Sequence, residues 1–255
     1  MAFAQAIFEE CWPAWQHHFS PEVRLRLGAV ELTALADCTP EAVSEYLSVD
    51  ELEKWTGLRL NKRRLEWLGG RLSAKEAAAG LLAGATVAWK TLLIRSEEDG
   101  RPFVVTEGHP VIPFISISHS GPMAAALAAN LPCGLDIQES GAKIQRVKER
   151  FASLAEKDIL TASLPRSFSE TEWLTMLWAA KEAVRKMVRA TPLLGFMEIR
   201  LLAGHGGQGT PQEPLALTFA SGREQAGCPS NISVLCFFTN NLAWAMACPV
   251  ISTKE

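Results

Sequence analysis

Short segments in which apolar and polar residues alternate are separated along this chain by longer segments with helical periodicity. Residues 115–121 (ISISHSG) alternate and then reach a Gly-Pro turn, so they are predicted to form a strand that ends in a turn. The other predicted strands are residues 103–106, 123–129, a segment ending at 136, 215–220 and two runs between 232 and 248. The predicted helices are residues 40–47, 61 to about 88, 141–160 and 170 to about 190. Gly69-Gly70 is a candidate break in the second of these helices, and Ser169 is the candidate cap of the last. Strand pairs alternating with long helices indicate an α+β fold.

A short string of residues occurs twice in the same place relative to these elements. Ala74-Lys75-Glu76-Ala77 returns as Ala180-Lys181-Glu182-Ala183, each inside a predicted helix that a pair of strands follows. A repeated order of this kind indicates two similar α+β halves, each with a long helix against an antiparallel sheet. We expect residues 1–40 to form an N-terminal extension packed on the core, and the halves to cover residues 41–133 and 134–255.

The composition is that of an ordinary globular protein. The 255 residues are 48% hydrophobic and 21% charged, and a net charge of −3 gives no general argument for nucleic-acid binding. The six cysteines include no C-x-x-C pair, so they are predicted to be free thiols in a reducing compartment. The first eight residues lack the features of a signal peptide, and no apolar run could span a membrane. We therefore expect a cytoplasmic protein.

Two segments carry candidate metal-binding oxygens. Asp136 and Gln138 are two residues apart on a predicted strand, so their side chains point to the same face. Glu182 and Lys186 are four residues apart on a predicted helix and share one of its faces. Two carboxylates and an amide oxygen suit Mg²⁺ held together with substrate phosphates, and the ammonium group can bind a phosphate oxygen. Taken singly, each segment is more typical of a strand-end carboxylate or an ion pair on a solvated helix.

Further polar side chains lie at turns upstream of Asp136. Ser118 and His119 stand where a predicted strand ends, and both can donate a hydrogen bond to a phosphate oxygen. Arg101 lies in a Gly-Arg-Pro turn before the strand at 103–106. Without this context His119 is equally well explained as a structural turn histidine. Residues 204–209 (GHGGQG) lack the lysine and the strand-to-helix context of a phosphate loop, so they predict a hairpin or loop.

The order of these motifs resembles that of the 4′-phosphopantetheinyl transferases of the larger, surfactin-synthetase-activating type. Gly-Arg-Pro, Ser-His-Ser, Gly-Leu-Asp and Trp-x-x-Lys-Glu-Ala-x-x-Lys follow one another between residues 100 and 186. The resemblance implies halves related by a pseudo-twofold axis, with coenzyme A bound by residues 41–133 and the metal site and catalytic helix in residues 134–255. It implies Mg²⁺-dependent transfer of the phosphopantetheine arm of coenzyme A to a serine of an apo carrier protein, with release of adenosine 3′,5′-bisphosphate. The implied partner is an acidic helical domain, the enzyme a monomer, and neither nucleic acid nor a membrane is involved.

The resemblance also implies roles for individual residues. Asp136, Gln138 and Glu182 would hold the metal, and Lys186 would contact the diphosphate. Glu156 is a candidate base for the serine hydroxyl, with a metal-bound hydroxide as the alternative. The residues expected to bind the cofactor are Lys54, Arg71, Lys75, Arg101, Ser118, His119, Lys181 and Lys186. Many relatives carry a carboxylate where this chain has Gln138, so its metal affinity or preference is expected to differ.

Two other functions are compatible with these residues. A Mg²⁺-dependent nucleotide or coenzyme A phosphohydrolase would use the same Asp-Glu-Lys set, together with a positioned water. A non-catalytic relative would only bind coenzyme A or a carrier protein, although Asp136, Glu182 and Lys186 argue against that reading.

Overall fold

The protein is described by a computed structural model covering residues 19, 22–82, 87–107, 109, 112–163, 168–188, 190, 192–206, 214–222 and 231–249. These residues belong to two compact units, Val23–Leu131 and Pro132–Glu255, with residues 19 and 22 assigned to the second. Both units combine helices with antiparallel strands, so the predicted α+β class is confirmed. The pseudo-twofold axis stays a prediction. Among the described helices, none has the length and apolar character needed to cross a bilayer.

The first unit places one long helix against a small antiparallel sheet. Its elements are β1 (Leu25–Glu31), a 3₁₀ turn (Leu32–Leu35), α1 (Pro40–Val43), α2 (Val49–Thr56), α3 (Asn61–Leu81), a 3₁₀ turn (Trp89–Thr91), β2 (Leu93–Ser96), β3 (Pro102–Val105), β4 (Phe114–Ser120) and β5 (Met123–Ala129). The sheet has the order β1-β5-β4, and β2 pairs with β3 in a separate ladder. Helix α3 packs on β1 and β5 and buries a row of alanines between helix and sheet.

Helix α3 is continuous through Gly69 and Gly70, where the sequence suggested a break. A Cβ atom on Gly69 would lie 2.6 Å from Leu32 and 2.9 Å from Ala124, so only glycine lets the helix approach the sheet this closely. The tertiary contact therefore outweighs the low helix propensity of glycine. The helix ends at Leu81, and part of the predicted extension to residue 88, residues 83–86, lies outside the described residues.

The second unit places its own long helix against a larger sheet. Its elements are β6 (Gly134–Glu139), α4 (Lys143–Val147), a 3₁₀ turn (Lys148–Arg150), α5 (Leu154–Ser163), α6 (Glu170–Met187), a 3₁₀ turn (Phe196–Glu198), β7 (Ile199–Gly206), β8 (Leu215–Ser221), β9 (Ile232–Thr239) and β10 (Leu242–Pro249). The antiparallel sheet has the order β6-β10-β9-β8-β7, and α6 packs on β6 and β10. Leucine, valine and aromatic side chains of these elements form one apolar cluster.

One predicted helix is divided in the structure, and the predicted start of another is confirmed. The segment 141–160 is divided into α4, a 3₁₀ turn and α5, because Ser153 and Glu156 form a cap that starts a new helix. The Ser169 cap of α6 is confirmed: its Oγ accepts a hydrogen bond from the Glu172 N–H, and the Glu172 carboxylate accepts one from the Ser169 N–H.

Part of the expected N-terminal extension belongs to a sheet. Residues 25–31 form β1, which pairs with β5 along its whole length from Leu25 to Glu31. Residues 1–18, 20 and 21 lie outside the described residues, as do Cys11 and Cys228. The four cysteines that the structure describes, Cys38, Cys133, Cys236 and Cys248, are free thiols.

Candidate functional site

Strand β6 and helix α6 touch through their backbones, and this contact positions the predicted carboxylates. A Cβ atom on Gly134 would overlap the carbonyl oxygen of Ala183 and lie 2.9 Å from the Met187 nitrogen. Asp136 follows two residues later on β6, opposite Ala245 of β10. Glu182 and Lys186 flank Ala183 on the helix, so the close approach brings all three side chains to one region of the second unit.

Lys186 is the direct link between the strand and the helix. Its ammonium nitrogen lies 2.8 Å from Asp136 Oδ1 and donates to the Leu135 carbonyl oxygen at 2.9 Å. The Asp136 residue is 7% exposed, whereas the Lys186 side chain keeps 31% of its surface accessible. A partly exposed ammonium group beside a buried carboxylate is able to bind an incoming phosphate oxygen.

Glu182 completes this group. Its carboxylate is 3.1 Å from Arg185 Nη1, whose guanidinium lies 4.6 Å from the centroid of Phe196. Burial raises the pKa of Glu182; the positive charge of Arg185 opposes the shift, and the negative charge of Asp136 adds to it. Two carboxylates that repel one another in a partly dry site form a natural position for a cation.

Gln138 lies on β6 opposite Ala243 and is half-buried. Its side-chain NH₂ donates to the Glu139 carbonyl oxygen at 3.2 Å, which leaves the side-chain carbonyl oxygen as an acceptor. No group of three or more His, Cys, Asp or Glu side chains suited to a metal ion occurs in the part of the chain that the structure describes. Asp136 and Gln138 lie on β6 and Glu182 lies on α6, and their role as metal ligands stays a prediction.

Glu156 lies at the start of α5 and is held by four contacts. Its Oε2 accepts hydrogen bonds from the Ser153 N–H (2.9 Å) and Oγ (3.0 Å). Its Oε1 accepts one from the Leu201 N–H (3.0 Å) and lies 2.7 Å from Lys181 Nζ. The Lys181 ammonium also donates to the carbonyl oxygens of Phe151 and Phe196, at 2.6 and 3.1 Å.

Lys75 of the first unit is held in the same way. Its ammonium nitrogen lies 2.7 Å from Glu51 Oε2 and donates to the Trp89 carbonyl oxygen at 2.8 Å. The Lys75 and Lys181 side chains are 0% and 1% exposed, and burial lowers the pKa of both although the paired carboxylates oppose the shift. These placements differ from the expectation that Lys75 and Lys181 bind the cofactor. Each ammonium is committed to a carboxylate and to backbone carbonyls inside its unit.

Two other expected cofactor-binding residues, Lys54 and Arg71, line a cavity of about 290 Å³ in the first unit. The Arg71 guanidinium lies 4.9 Å from the centroid of Trp67, and its Nε is buried with no hydrogen-bond partner among the described residues. Arg71 is 8% exposed, and burial lowers its pKa against the opposing charge of Glu51. The cavity is lined by Ser48, Asp50, Glu51, Lys54, Trp67, Arg71, Leu93, Ile94, Arg95 and Ser96.

The remaining predicted residues of the first unit lie at strand ends. Ser118 is buried near the end of β4, and His119 follows it with Nδ1 3.7 Å from Glu66 Oε1. Arg101 precedes β3, and its Nε lies 2.8 Å from the Asp99 carboxylate across the turn that contains Gly100. Gly100 has a φ of 87°, a conformation that glycine adopts without steric cost.

Sequence reasoning missed Glu51, the partner of Lys75, and Arg95 and Trp67, which line the cavity. Of these three residues, Glu51 was indicated by a sequence pattern. Ser48-x-x-Glu51 is a capping-box pattern, and both reciprocal hydrogen bonds are present at the start of α2. No local pattern marks Arg95 or Trp67, because only the packing of α3 beside β2 brings them to the same cavity.

Comparison of the sequence with known proteins identifies a family. The pattern that defines the 4′-phosphopantetheinyl transferase superfamily matches residues 132–230, which lie in the second unit. A holo-[acyl-carrier-protein] synthase of Exiguobacterium sibiricum is 40% identical over 90 residues, covering 34% of this chain and 69% of that protein. The protein of the same name from Anoxybacillus flavithermus is 30% identical over 110 residues, covering 41% and 91%.

A solved structure is also similar. The holo-(acyl-carrier-protein) synthase of Bacillus anthracis in complex with CoA (3′,5′-ADP) is 26% identical, with a TM-score of 0.38, over 41% of this chain and 92% of that one. The sequence relatives carry the assignment, since the identity reaches 40% over more than two thirds of a relative's length. The chain belongs to the 4′-phosphopantetheinyl transferase superfamily.

Proposed function

We propose that this protein transfers the 4′-phosphopantetheine arm of coenzyme A to a serine of an apo carrier protein and releases adenosine 3′,5′-bisphosphate. The observation that carries the proposal is the group of Asp136, Glu182 and Lys186, which lies within the residues matched by the superfamily pattern. The names of the relatives, holo-[acyl-carrier-protein] synthases, agree with this reaction.

Asp136, Glu182 and Gln138 are the residues that would hold Mg²⁺. They fit this ion, because Mg²⁺ takes few protein oxygens and fills its other positions with water and substrate phosphates. Burial raises the pKa of Glu182 and the negative charge of Asp136 adds to the shift; a cation beside the two carboxylates would relieve their repulsion. When bound, Mg²⁺ neutralises charge on the diphosphate that is cleaved. Lys186 provides a second positive charge for the departing oxygens.

Replacing Gln138 with Glu should strengthen metal binding. A third carboxylate would add a full negative charge to the same face of β6, so the Mg²⁺ concentration at half-maximal rate is expected to fall by about threefold to tenfold. A Mg²⁺ titration of the transfer rate measures the shift. Gln138→Ala is the matched control and should not give this gain; an unchanged titration in Gln138→Glu would remove position 138 from the metal site.

The cavity of the first unit is proposed to bind a phosphate group of coenzyme A. Arg71 supplies a buried guanidinium with an unpaired Nε, and Lys54 and Arg95 add two exposed cations at the same cavity. Among the described residues, the buried carboxylate of Glu51 opposes the charges of both Arg71 and Lys75. An anionic ligand would balance this excess and hydrogen-bond to the guanidinium. Ser118, His119 and Arg101 remain proposed contacts of the nucleotide.

Arg71→Met is expected to weaken coenzyme A binding and to leave turnover at saturation unchanged. Loss of a hydrogen bond to a charged group costs about 1.5–3 kcal/mol, which corresponds to a roughly 10- to 150-fold rise in KM for coenzyme A. Met replaces the guanidinium beside Trp67 with an uncharged, unbranched side chain. Steady-state kinetics with coenzyme A as the varied substrate measures the effect, and Lys157→Met, an exposed lysine of α5, is the control. An unchanged KM in Arg71→Met would exclude the cavity as a phosphate site.

The transfer itself is tested by intact-mass measurement. A panel of apo carrier proteins is incubated with this protein, coenzyme A and Mg²⁺, and one phosphopantetheine mass should appear on a carrier and vanish with EDTA. Hydrolysed coenzyme A with unmodified carriers would favour the phosphohydrolase. Bound coenzyme A with no reaction on any carrier would favour the non-catalytic relative.

We propose further that the protein is of the larger, surfactin-synthetase-activating type and acts as a cytoplasmic monomer on an acidic helical carrier domain. The support for the type is the presence of two similar units in one chain, each with a long helix on an antiparallel sheet.

A further inference from the structure

Each unit contains one copy of the same buried arrangement, which we call the Lys–Glu clamp. It consists of Glu51 and Lys75 in the first unit, and of Glu156 and Lys181 in the second. In both copies the Glu lies three residues after a capping serine and accepts a hydrogen bond from a strand N–H. In both copies the ammonium group donates to a carbonyl oxygen in a 3₁₀ turn. The clamp thus joins a short helix, the long helix, a turn and a strand.

The contacts of the Glu156 carboxylate argue against a role as general base. Both of its oxygens already accept hydrogen bonds, one of them beside the Lys181 ammonium, and the residue is 4% exposed. A general base must come within hydrogen-bond reach of the proton that it accepts. To reach a serine hydroxyl of a carrier protein, Glu156 would have to abandon the cap of α5 and leave a buried ammonium without its counter-charge.

The copy in the first unit shows that the clamp does not depend on the carboxylate site. Asp136 pairs with Ala245, the fourth residue of β10. The corresponding residue of β1 pairs with Ala126, the fourth residue of β5, and that residue is Gly28. The first unit therefore has a complete Lys–Glu clamp, although its strand β1 has a glycine at the position that corresponds to Asp136. The arrangement belongs to the architecture of a unit.

In the second unit the clamp is connected to Glu182. The Phe196 carbonyl oxygen accepts from Lys181, and the ring of Phe196 lies against the Arg185 guanidinium. Arg185 in turn donates to the Glu182 carboxylate. A displaced Lys181 would move both the helix that carries Glu182 and the arginine that holds its carboxylate.

We infer that Glu156 is a positioning residue, which through Lys181 fixes the place of Glu182, and that it is not the base for the serine hydroxyl. This inference rests on the proposed function, in which Glu182 holds the metal.

Two single variants and their combination test the inference. Glu156→Gln leaves a buried ammonium without a counter-charge, so transfer is expected to fall by about 30-fold or more, and Mn²⁺ to bind correspondingly more weakly. The double variant Glu156→Gln/Lys181→Met removes both charges. Its transfer rate is expected to be at least about tenfold higher than that of Glu156→Gln, and most of the Mn²⁺ affinity should return. Lys181→Met alone should lower both quantities although Glu156 is intact.

The alternative role of Glu156, as the general base, predicts a different pattern for these variants. If Glu156 accepted the proton, Glu156→Gln would bind Mn²⁺ as the wild type does, and removing Lys181 would rescue nothing. That pattern, or full activity in Lys181→Met, would overturn the inference. Titration of Mn²⁺ by electron paramagnetic resonance requires no turnover, so the positioning role is measurable even if the wild type modifies no carrier and the proposed function fails.

The first unit supplies the matched control. Glu51→Gln and Glu51→Gln/Lys75→Met make the same changes in the other copy of the clamp. They should lower and then restore the thermal unfolding temperature, while Mn²⁺ binding keeps its wild-type value throughout. A change in Mn²⁺ affinity as large as that of Glu156→Gln would show that loss of any clamp disturbs the metal site, and would overturn a specific role for Glu156.

Discussion

Asp136→Asn is expected to lower the rate of phosphopantetheine transfer by about 10²–10³-fold at saturating coenzyme A. Asparagine keeps the shape of the side chain and removes its charge. The loss has two parts, a weaker site for the cation and an ammonium group on Lys186 whose partner at 2.8 Å is no longer charged. The rate at increasing Mg²⁺ measures the first part, because excess metal recovers only what weak binding has lost.

Glu139→Gln is the control for the aspartate variant. Glu139 lies on the same strand three residues later, so it points to the opposite face, and it is exposed. It should keep the wild-type rate and the wild-type Mg²⁺ dependence. Wild-type turnover in Asp136→Asn would remove this aspartate from the site and with it the main support for the proposed transferase.

Gly134→Ala is expected to have the largest effect on stability and to lower the free energy of unfolding by about 3 kcal/mol or more. The reason is that the added methyl group would overlap backbone atoms, which cannot change rotamer as a side chain can. The new Cβ would overlap the Ala183 carbonyl oxygen and lie 2.8 Å from the Ala183 carbonyl carbon. Helix α6 would have to move away from β6, so the residual folded protein should also lose transfer activity. Denaturant unfolding followed by circular dichroism measures the change in the free energy of unfolding.

Gly141→Ala serves as the comparison, since no described residue other than its chain neighbours lies within 4 Å of the Cβ that it would add. Its free energy of unfolding should stay within about 0.5 kcal/mol of the wild type. Equal stability of the two alanine variants would show that β6 and α6 are far enough apart to accept a methyl group between them.

Several elements could be predicted from local patterns because their causes are local. Alternation predicted β4 and β8, and the Ser169 cap predicted the start of α6. The strand and helix periods assigned Asp136 and Lys186 each to a face of its own element, whereas their ion pair depends on how β6 packs against α6. The candidate break at Gly69-Gly70 was wrong because its cause is not local. The close packing of Gly69 against Leu32 and Ala124 cannot be read from the sequence.

The predictions for Lys75 and Lys181 also depended on tertiary contacts, which local patterns do not show. Lys75 and Lys181 each stand in an Ala-Lys-Glu-Ala string, which gives no indication of whether the ammonium group faces a ligand or the interior. The structure places both in buried pairs with glutamates 24 and 25 residues earlier in the chain. A lysine can be buried in this way only when a carboxylate and carbonyl oxygens converge on it.

The sequence by itself determined the α+β class and the duplicated order of elements, and it supplied the candidate oxygen donors, because these depend on side-chain period and chemistry over a few residues. Only the tertiary structure decided which charged groups are accessible. Lys186 and Arg71 lie beside a site or a cavity, whereas Lys181 and Glu156 neutralise one another inside the second unit. The reason is that desolvation and counter-charge depend on segments that meet only after folding.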